Sequence, residues 1–164
     1  MTRSKIDEAL VALAIVFETI EHEAVFTVGE SDRLHDEIPG VDTKNLFLKD
    51  GRGRFWLVTA EAYCRVDLKA LPKVIGAAKL SFGKAEDMQR LLGITPGSVT
   101  PLAAINDTGG VVTIVLDEIV ATAPRANVHP LRNTATTGLS GADLVRALIA
   151  WDHAPMVIPM PVRD

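Results

Sequence analysis

The segment from residue 43 to residue 60 constrains the fold of this chain more than any other. Two apolar runs, at residues 46–48 and 55–58, flank the sequence Asp50-Gly51-Arg52-Gly53. Glycines tolerate the positive φ angles that a tight hairpin connection requires. The sequence therefore predicts an antiparallel β-hairpin, which we expect to lie at the centre of a sheet.

The amino-terminal segment predicts a helix that continues to Ile20. Ser4 and Asp7 have the spacing of a capping box, and the apolar residues recur every three or four positions. Acidic residues interrupt the apolar ones and no small-residue cleavage site follows, so we expect a folded helix rather than a signal peptide. The apolar positions, which should cover a sheet, are Ile6, Leu10, Leu13, Phe17 and Ile20.

The rest of the chain alternates between short strand and helix patterns. The expected helices span residues 31–37, 68–74 after an Asp67 cap, 84–92 with Gly93 as its end, and 141–151 after a Ser140 cap. The expected strands span residues 24–28, 99–105, 111–116 and a carboxy-terminal edge strand within 155–162, with a short strand or turn at 80–83 and an irregular polar stretch at 123–140. Strands outnumber helices and are mostly joined by hairpins, so the predicted class is α+β with a mixed, largely antiparallel sheet.

Composition and charge limit the kinds of protein that this chain can be. Its 164 residues fit one domain over 1–164, and 48% hydrophobic residues exclude a disordered chain. The single cysteine, Cys64, excludes an internal disulfide framework, and no apolar stretch is long enough to span a membrane, so we expect a cytoplasmic protein. The net charge is -4, yet residues 43–90 hold ten basic side chains against five acidic ones. This segregation permits a phosphate-facing surface, although scattered solvated side chains would give the same count.

The motifs of several enzyme classes are absent. The four histidines, His22, His35, His129 and His153, form no His-x-x-x-His pair, so we expect no metal. There is no Gly-x-Ser-x-Gly elbow, and the glycines fit neither a P-loop nor a dinucleotide fingerprint. Neither a serine triad nor a nucleotide cofactor is expected.

Three segments carry more polar and backbone-permissive residues than a core or a simple loop needs. They are residues 43–45, 97–101 and 129–137. Taken singly, Lys44 could be a solvated lysine at a strand end, and His129 could be a structural histidine held by hydrogen bonds.

Together these segments resemble the freestanding aminoacyl-tRNA editing domains of the YbaK and prolyl-tRNA-synthetase-associated group. Within that group they are most similar to the prolyl-tRNA deacylases that act on alanyl-tRNA(Pro). The likeness spans nearly the whole chain in the family's order, but at Val41-Asp42 relatives often have a histidine. The runs that carry it are Thr43-Lys44-Asn45-Leu46-Phe47-Leu48-Lys49-Asp50, Leu80-Ser81-Phe82-Gly83, Gly97-Ser98-Val99-Thr100-Pro101 with Ile105-Asn106-Asp107, and His129-Pro130-Leu131-Arg132-Asn133-Thr134-Ala135-Thr136-Thr137.

The resemblance implies a barrel-like sheet flanked by helices and a hydrolase, an aminoacyl-tRNA deacylase, that needs no cofactor. Its catalytic residues would be Lys44, which holds the terminal phosphate or ribose, Gly97, and His129, which lines the pocket. The backbone of residues 97–101 would cradle the aminoacyl carbonyl, and the adenosine 2′-hydroxyl would assist the water. Further substrate-binding residues would be Asn45, Ser98, Thr100, Pro101 and Asn133.

The resemblance also implies the partners. These are the acceptor end of a mischarged tRNA, with Lys79 as the first candidate for a stem contact, and prolyl-tRNA synthetase; we expect a monomer. Small walls would exclude proline, with Phe26, Val28 and Leu46 as candidates that could equally be core residues. Two alternatives remain open: editing of cysteine, serine or another small amino acid, and a catalytically silent domain that binds tRNA or a synthetase.

Overall fold

A computed structural model describes residues 4–23 and 38–163 of the chain. Five helices and eight strands lie within these residues, together with two 3-10 helices at Pro96–Ser98 and Pro101–Asn106. The helices are α1 (Lys5–Ala12), α2 (Leu71–Ile75), α3 (Ala85–Leu92), α4 (Glu118–Ala121) and α5 (Gly141–Ala150). The strands are β1 (Phe17–Glu21), β2 (Val41–Asp50), β3 (Phe55–Glu61), β4 (Leu80–Phe82), β5 (Val112–Asp117), β6 (Ala126–Val128), β7 (Ala135–Leu139) and β8 (Met156–Ile158).

The described strands form one mixed sheet in the order β1-β7-β6-β2-β3-β5-β8, and β4 also pairs with β2. The pairs β2/β3, β2/β4, β1/β7 and β6/β7 are antiparallel, while β2/β6, β3/β5 and β5/β8 are parallel. The predicted α+β class is confirmed, and so is the central hairpin, which is β2 and β3.

Strand β2 has a gap along the edge that faces away from β3. On that side it pairs with β6 only at Val41 and Asp42, and with β4 only from Leu48 to Asp50. Between those two ladders the edge of β2 lacks a strand partner among the described residues. The gap includes Lys44 and Asn45, so the most polar part of the predicted site lies where the sheet opens.

The two faces of the sheet are covered differently. The inner face packs against the larger core, which includes Phe47 and Leu57 together with α1, α3 and α5. The outer face of β2 and β3 packs against a smaller core around Leu48, Trp56 and α2. Helices on both faces of a sheet shield it from solvent.

The amino-terminal helix is shorter than its periodicity predicts. It begins after Ser4, whose hydroxyl accepts the Asp7 N–H, and ends at Ala12. Ala14 then takes a positive φ of 57°, and the chain turns into β1, which contains Phe17 and Ile20. The predicted helix was therefore wrong beyond residue 12, because pairing of β1 with β7 overrides the helical spacing of the apolar residues.

Two other predictions were wrong. Residues 101–106 form a 3-10 helix rather than a strand, because Thr100 accepts the Leu102 N–H and Pro101 supplies a φ suited to a first helical position. The stretch 123–140 is not irregular, since it contains β6 and β7, whose apolar residues are buried. Polar residues between them hide the strand alternation in the sequence.

The remaining predictions were confirmed or lie outside the described residues. The helix ended by Gly93, the helix capped by Ser140, the strand at 80–82, β5 and the edge strand β8 are all present. Asp67 accepts from the backbone of a turn that precedes α2, so it caps that turn and not the helix. The strand predicted at 24–28 and the helix predicted at 31–37 lie outside the described residues. Within the described ranges, no helix is long and apolar enough to cross a membrane.

Candidate active site

Lys44 and His129 lie close to the short ladder between β2 and β6. In the β2/β6 ladder Val41 lies opposite Ala126 and Asp42 opposite Asn127, and Lys44 and His129 each follow two residues after the last of these pairs. The Asn127 Nδ2 donates to Asp42 Oδ1 at 3.1 Å, which fixes these two side chains on one face. Side chains alternate along a strand, so Lys44 projects on the face of Asp42, and an extended chain beyond β6 would turn His129 to the face of Asn127.

The ammonium group of Lys44 is directed to the loop that follows β3. Its Nζ donates to the backbone carbonyl of Cys64, and the side chain is half-buried. Lys44 also lowers the pKa of the Cys64 thiol, but burial, the larger effect, raises it, so this thiol stays protonated at neutral pH. Cys64 is thus a neutral neighbour of the lysine and not a nucleophile. The candidate wall residue Leu46 is half-buried and packs against the smaller core.

Asn45 projects on the inner face and bridges two elements at the gap in β2. Its Nδ2 donates to the Val99 carbonyl at 3.0 Å, and its Oδ1 accepts from Thr59 Oγ1 at 2.6 Å. Thr59 is fully buried. The amide therefore attaches the 97–101 segment to the open edge of the strand that carries Lys44.

The 97–101 segment presents different residues to solvent and to the core. Gly97 is exposed within a 3-10 helix, whereas Ser98 is buried. Thr100 is 0% exposed and its hydroxyl caps the next 3-10 helix, which begins at the buried Pro101. Through these contacts Thr100 and Pro101 hold the loop in place, while the exposed Gly97 is accessible to a ligand.

His129 follows β6 and is mostly buried. Its Nδ1 lies 3.4 Å from the Ala135 carbonyl, which can only accept, so the Nδ1–H donates and the Nε2 of the neutral ring is left as an acceptor. Burial lowers the pKa of His129 and outweighs the hydrogen bond to Ala135, which raises it, and the nearby His22 also lowers it, so the ring is neutral at pH 7. Asn133 is half-buried in the turn that joins β6 to β7, where Leu131 takes a φ of 69°.

The sequence did not indicate a contact between a histidine and a threonine on neighbouring strands, His22 and Thr136. His22, which follows β1, places its Nε2 2.8 Å from Thr136 Oγ1 and its Nδ1 2.7 Å from the Glu23 carbonyl. Nothing in the spacing of residues 22 and 136 indicates this contact, because β1 and β7 become neighbours only through the sheet. Thr136 itself lay within a run that carried the resemblance, but no role was attached to it.

Polar contacts also fix the strand ends on either side of the site. Arg125 donates through Nε to Asn127 Oδ1 at 3.1 Å and through Nη1 to Glu18 Oε1 at 2.9 Å. Asn127 in turn donates to Asp42 and to the Pro39 carbonyl. This chain of contacts joins β1, β6 and β2 one row away from Lys44 and His129.

The described residues contain no group of three or more His, Cys, Asp or Glu side chains arranged to hold a metal ion. Lys79, the candidate for an acceptor-stem contact, is exposed in the connection between α2 and β4. Of the candidate walls for a small pocket, Phe26 and Val28 lie outside the described residues. The site as described thus offers a lysine, a neutral histidine, a His–Thr pair and an anchored glycine loop.

The chain is similar to one protein family and to several named proteins. The family model for the aminoacyl-tRNA editing domain matches residues 7–147. The chain is 37% identical over 148 residues to the prolyl-tRNA editing protein ProX of Acetoanaerobium sticklandii, which is 90% of this chain and 88% of that protein. It is also 37% identical over 158 residues to the prolyl-tRNA synthetase associated domain-containing protein 1 of Danio rerio, 95% of this chain and 86% of that protein.

Solved structures share the fold at low sequence identity. A protein provisionally named as a trans-editing enzyme for prolyl tRNA synthetase superposes with a TM-score of 0.71 at 16% identity, over 99% of this chain and 100% of that one. The hypothetical protein APE2540 superposes with a TM-score of 0.75 at 20% identity, over 94% and 97% of the two chains.

Proposed function

Because this chain belongs to the aminoacyl-tRNA editing domain family, we propose that it removes alanine from mischarged proline tRNA by directing water onto the aminoacyl ester. A site shaped for proline cannot strongly reject alanine, since each missing methylene changes binding by only about 1–3 kcal/mol. A separate hydrolytic site must then do the rejecting. Proline tRNA is chosen because the similar ProX protein is named for prolyl-tRNA editing.

The observation that supports the proposal is the short β2/β6 ladder that ends two residues before Lys44 and His129, beside a gap to which Asn45 attaches the 97–101 loop. An aminoacyl ester is already activated, so the site must position water and stabilise an oxyanion rather than supply a nucleophile. Lys44 would contact the terminal phosphate or ribose, and the N–H groups near Gly97 would receive the carbonyl oxygen. The neutral His129 would contact the substrate or the water through Nε2.

Substitution of Lys44 tests this arrangement. Lys44→Ala should abolish deacylation of alanyl-tRNA(Pro) and leave the melting curve nearly unchanged, because this half-buried side chain makes one hydrogen bond, to the Cys64 carbonyl, among the described contacts. Lys49→Ala is the matched control, since Lys49 lies on the same strand but is exposed at its far end. Retained turnover in Lys44→Ala would remove this lysine from the site.

A panel of charged tRNAs separates the alternatives. Faster release of cysteine or serine than of alanine would show that the chain edits that amino acid instead of alanine. Tight binding of uncharged tRNA without release of any amino acid would indicate a catalytically silent binding domain.

A further inference from the structure

The His22–Thr136 pair lies on the same outer face as Lys44, close to His129. In the β6/β7 ladder Val128 lies opposite Thr137, and His129, the next residue, lies with its Nδ1 3.4 Å from the carbonyl of Ala135, which precedes Thr136. Thr137 projects on the inner face, where its hydroxyl meets that of Thr19 at 2.8 Å, and alternation turns Thr136 outward. His22 is close enough to His129 to lower its pKa. The two histidines and Thr136 therefore form one cluster.

Hydrogen-bond chemistry fixes which atoms of this cluster can accept. The Glu23 carbonyl can only accept, so His22 Nδ1 carries a proton, and when the ring holds no second proton its Nε2 accepts the Thr136 hydroxyl proton. The Thr136 oxygen then has no proton left to donate, and its free lone pair is an acceptor. His129 presents a second acceptor through Nε2, since its Nδ1–H is used by Ala135. Thr136 is half-buried, so part of the residue is open to solvent.

We propose that Thr136 Oγ1, held as an acceptor by His22, binds the α-ammonium group of the aminoacyl moiety. The inference rests on the proposed function, because every aminoacyl-tRNA carries this donor-only cation next to the ester carbon. Lys44 is itself a cation and repels the substrate's ammonium group. The ammonium group therefore needs a hydrogen-bond acceptor elsewhere on the face. The carboxylates one row away already have partners: Glu18 pairs with Arg125, and Asp42 accepts from Asn127. Thr136 binds the substrate, and His22 is a positioning residue that acts through it.

The test compares two esters that differ only at the α position. Alanyl-tRNA(Pro) carries an ammonium, and lactyl-tRNA(Pro), made from it by deamination with nitrous acid, carries a hydroxyl there. The measured quantity is kcat/KM for each ester, corrected for spontaneous hydrolysis, and their ratio. Thr136→Val keeps the shape of the side chain and removes the hydroxyl; a hydrogen bond to a charged group corresponds to about 10- to 100-fold in rate.

We expect Thr136→Val to lower kcat/KM for the alanyl ester by about 10- to 100-fold and the alanyl-to-lactyl ratio by about tenfold. Thr136→Ser should restore both, and His22→Ala should lower the ratio in the same direction. Thr137→Val is the matched control, because it removes a neighbouring hydroxyl on the opposite face and should leave the ratio unchanged.

The outcomes separate this inference from the proposed function. If the wild-type chain releases alanine and Thr136→Val slows both esters equally, the α-ammonium contact is wrong and the editing activity stands. If the wild-type chain releases neither ester nor any other amino acid, the proposed function itself fails. A fall in the ratio for Thr137→Val equal to that for Thr136→Val would also overturn the contact.

Discussion

Asp50 should stabilise the central hairpin by about 2 kcal/mol, and replacing it with asparagine should remove that contribution. The carboxylate is 5% exposed and accepts five hydrogen bonds, from the backbone N–H groups of Arg52, Arg54 and Ala78 and from the side chains of Arg54 and Trp56, at 2.9 to 3.3 Å. Burial raises its pKa, but the hydrogen bonds outweigh burial and lower the pKa from 3.8 to about 2. At 1.36 kcal/mol for each pKa unit, this difference corresponds to about 2 kcal/mol.

The sign of the pH dependence follows from the lowered pKa. The stabilisation is fully present above the unfolded pKa of 3.8 and is lost as the pH falls towards about 2. Thermal unfolding followed by circular dichroism at pH 7 should show a Tm lower by about 4–8 °C for Asp50→Asn, since 1 kcal/mol shifts Tm by about 2–4 °C at this chain length. The variant should also lose less Tm than the wild type between pH 5 and pH 2.

A matched surface variant separates this effect from a general change of charge. Asp87→Asn removes a carboxylate whose partner Arg90 is largely exposed, and should cost less than about 1 kcal/mol. Equal Tm values for Asp50→Asn and the wild type at pH 7, or an unchanged dependence on pH, would refute the reasoning.

Two further predictions concern the site. Asn45→Ala should lower the free energy of unfolding by about 1–3 kcal/mol and slow deacylation, because it leaves the buried Thr59 hydroxyl without its acceptor and releases the Val99 carbonyl. When unfolding is measured in denaturant, the double variant with Thr59→Val should recover part of the stability, but its deacylation rate should stay low. Full recovery of the rate would contradict the bridging role of Asn45. Binding of tRNA should weaken linearly in a plot of log affinity against log salt, and Lys79→Ala should reduce the slope by about one counterion, whereas an unchanged slope would take Lys79 out of the interface.

The elements that the sequence predicts well are those whose local signals agree with the fold. The hairpin has two apolar runs around a glycine turn, and α5 has a serine cap, so local chemistry and tertiary packing give the same answer. Residues 17–20 have helical spacing but become a strand, because β7 offers them a partner that lies far away in sequence. Long-range pairing of this kind leaves no local pattern.

The candidate site divides in the same way. Lys44 and His129 could be singled out because each lies in a run that resembles one family, and each follows closely after the β2/β6 ladder. Which atoms they contact could not be predicted: the Cys64 carbonyl for Lys44 and the Ala135 carbonyl for His129 depend on how loops fold back. The His22–Thr136 contact is of the same kind, since it joins two strands through side chains with no sequence motif.

The central claim is that this chain removes a wrongly attached alanine and spares the correct proline. The most direct measurement is hydrolysis of alanyl-tRNA(Pro) beside prolyl-tRNA(Pro), each followed as loss of the labelled amino acid from tRNA at equal enzyme concentration. We expect rapid release of alanine and release of proline no faster than in buffer. Release of both amino acids at similar rates, or of proline alone, would contradict it.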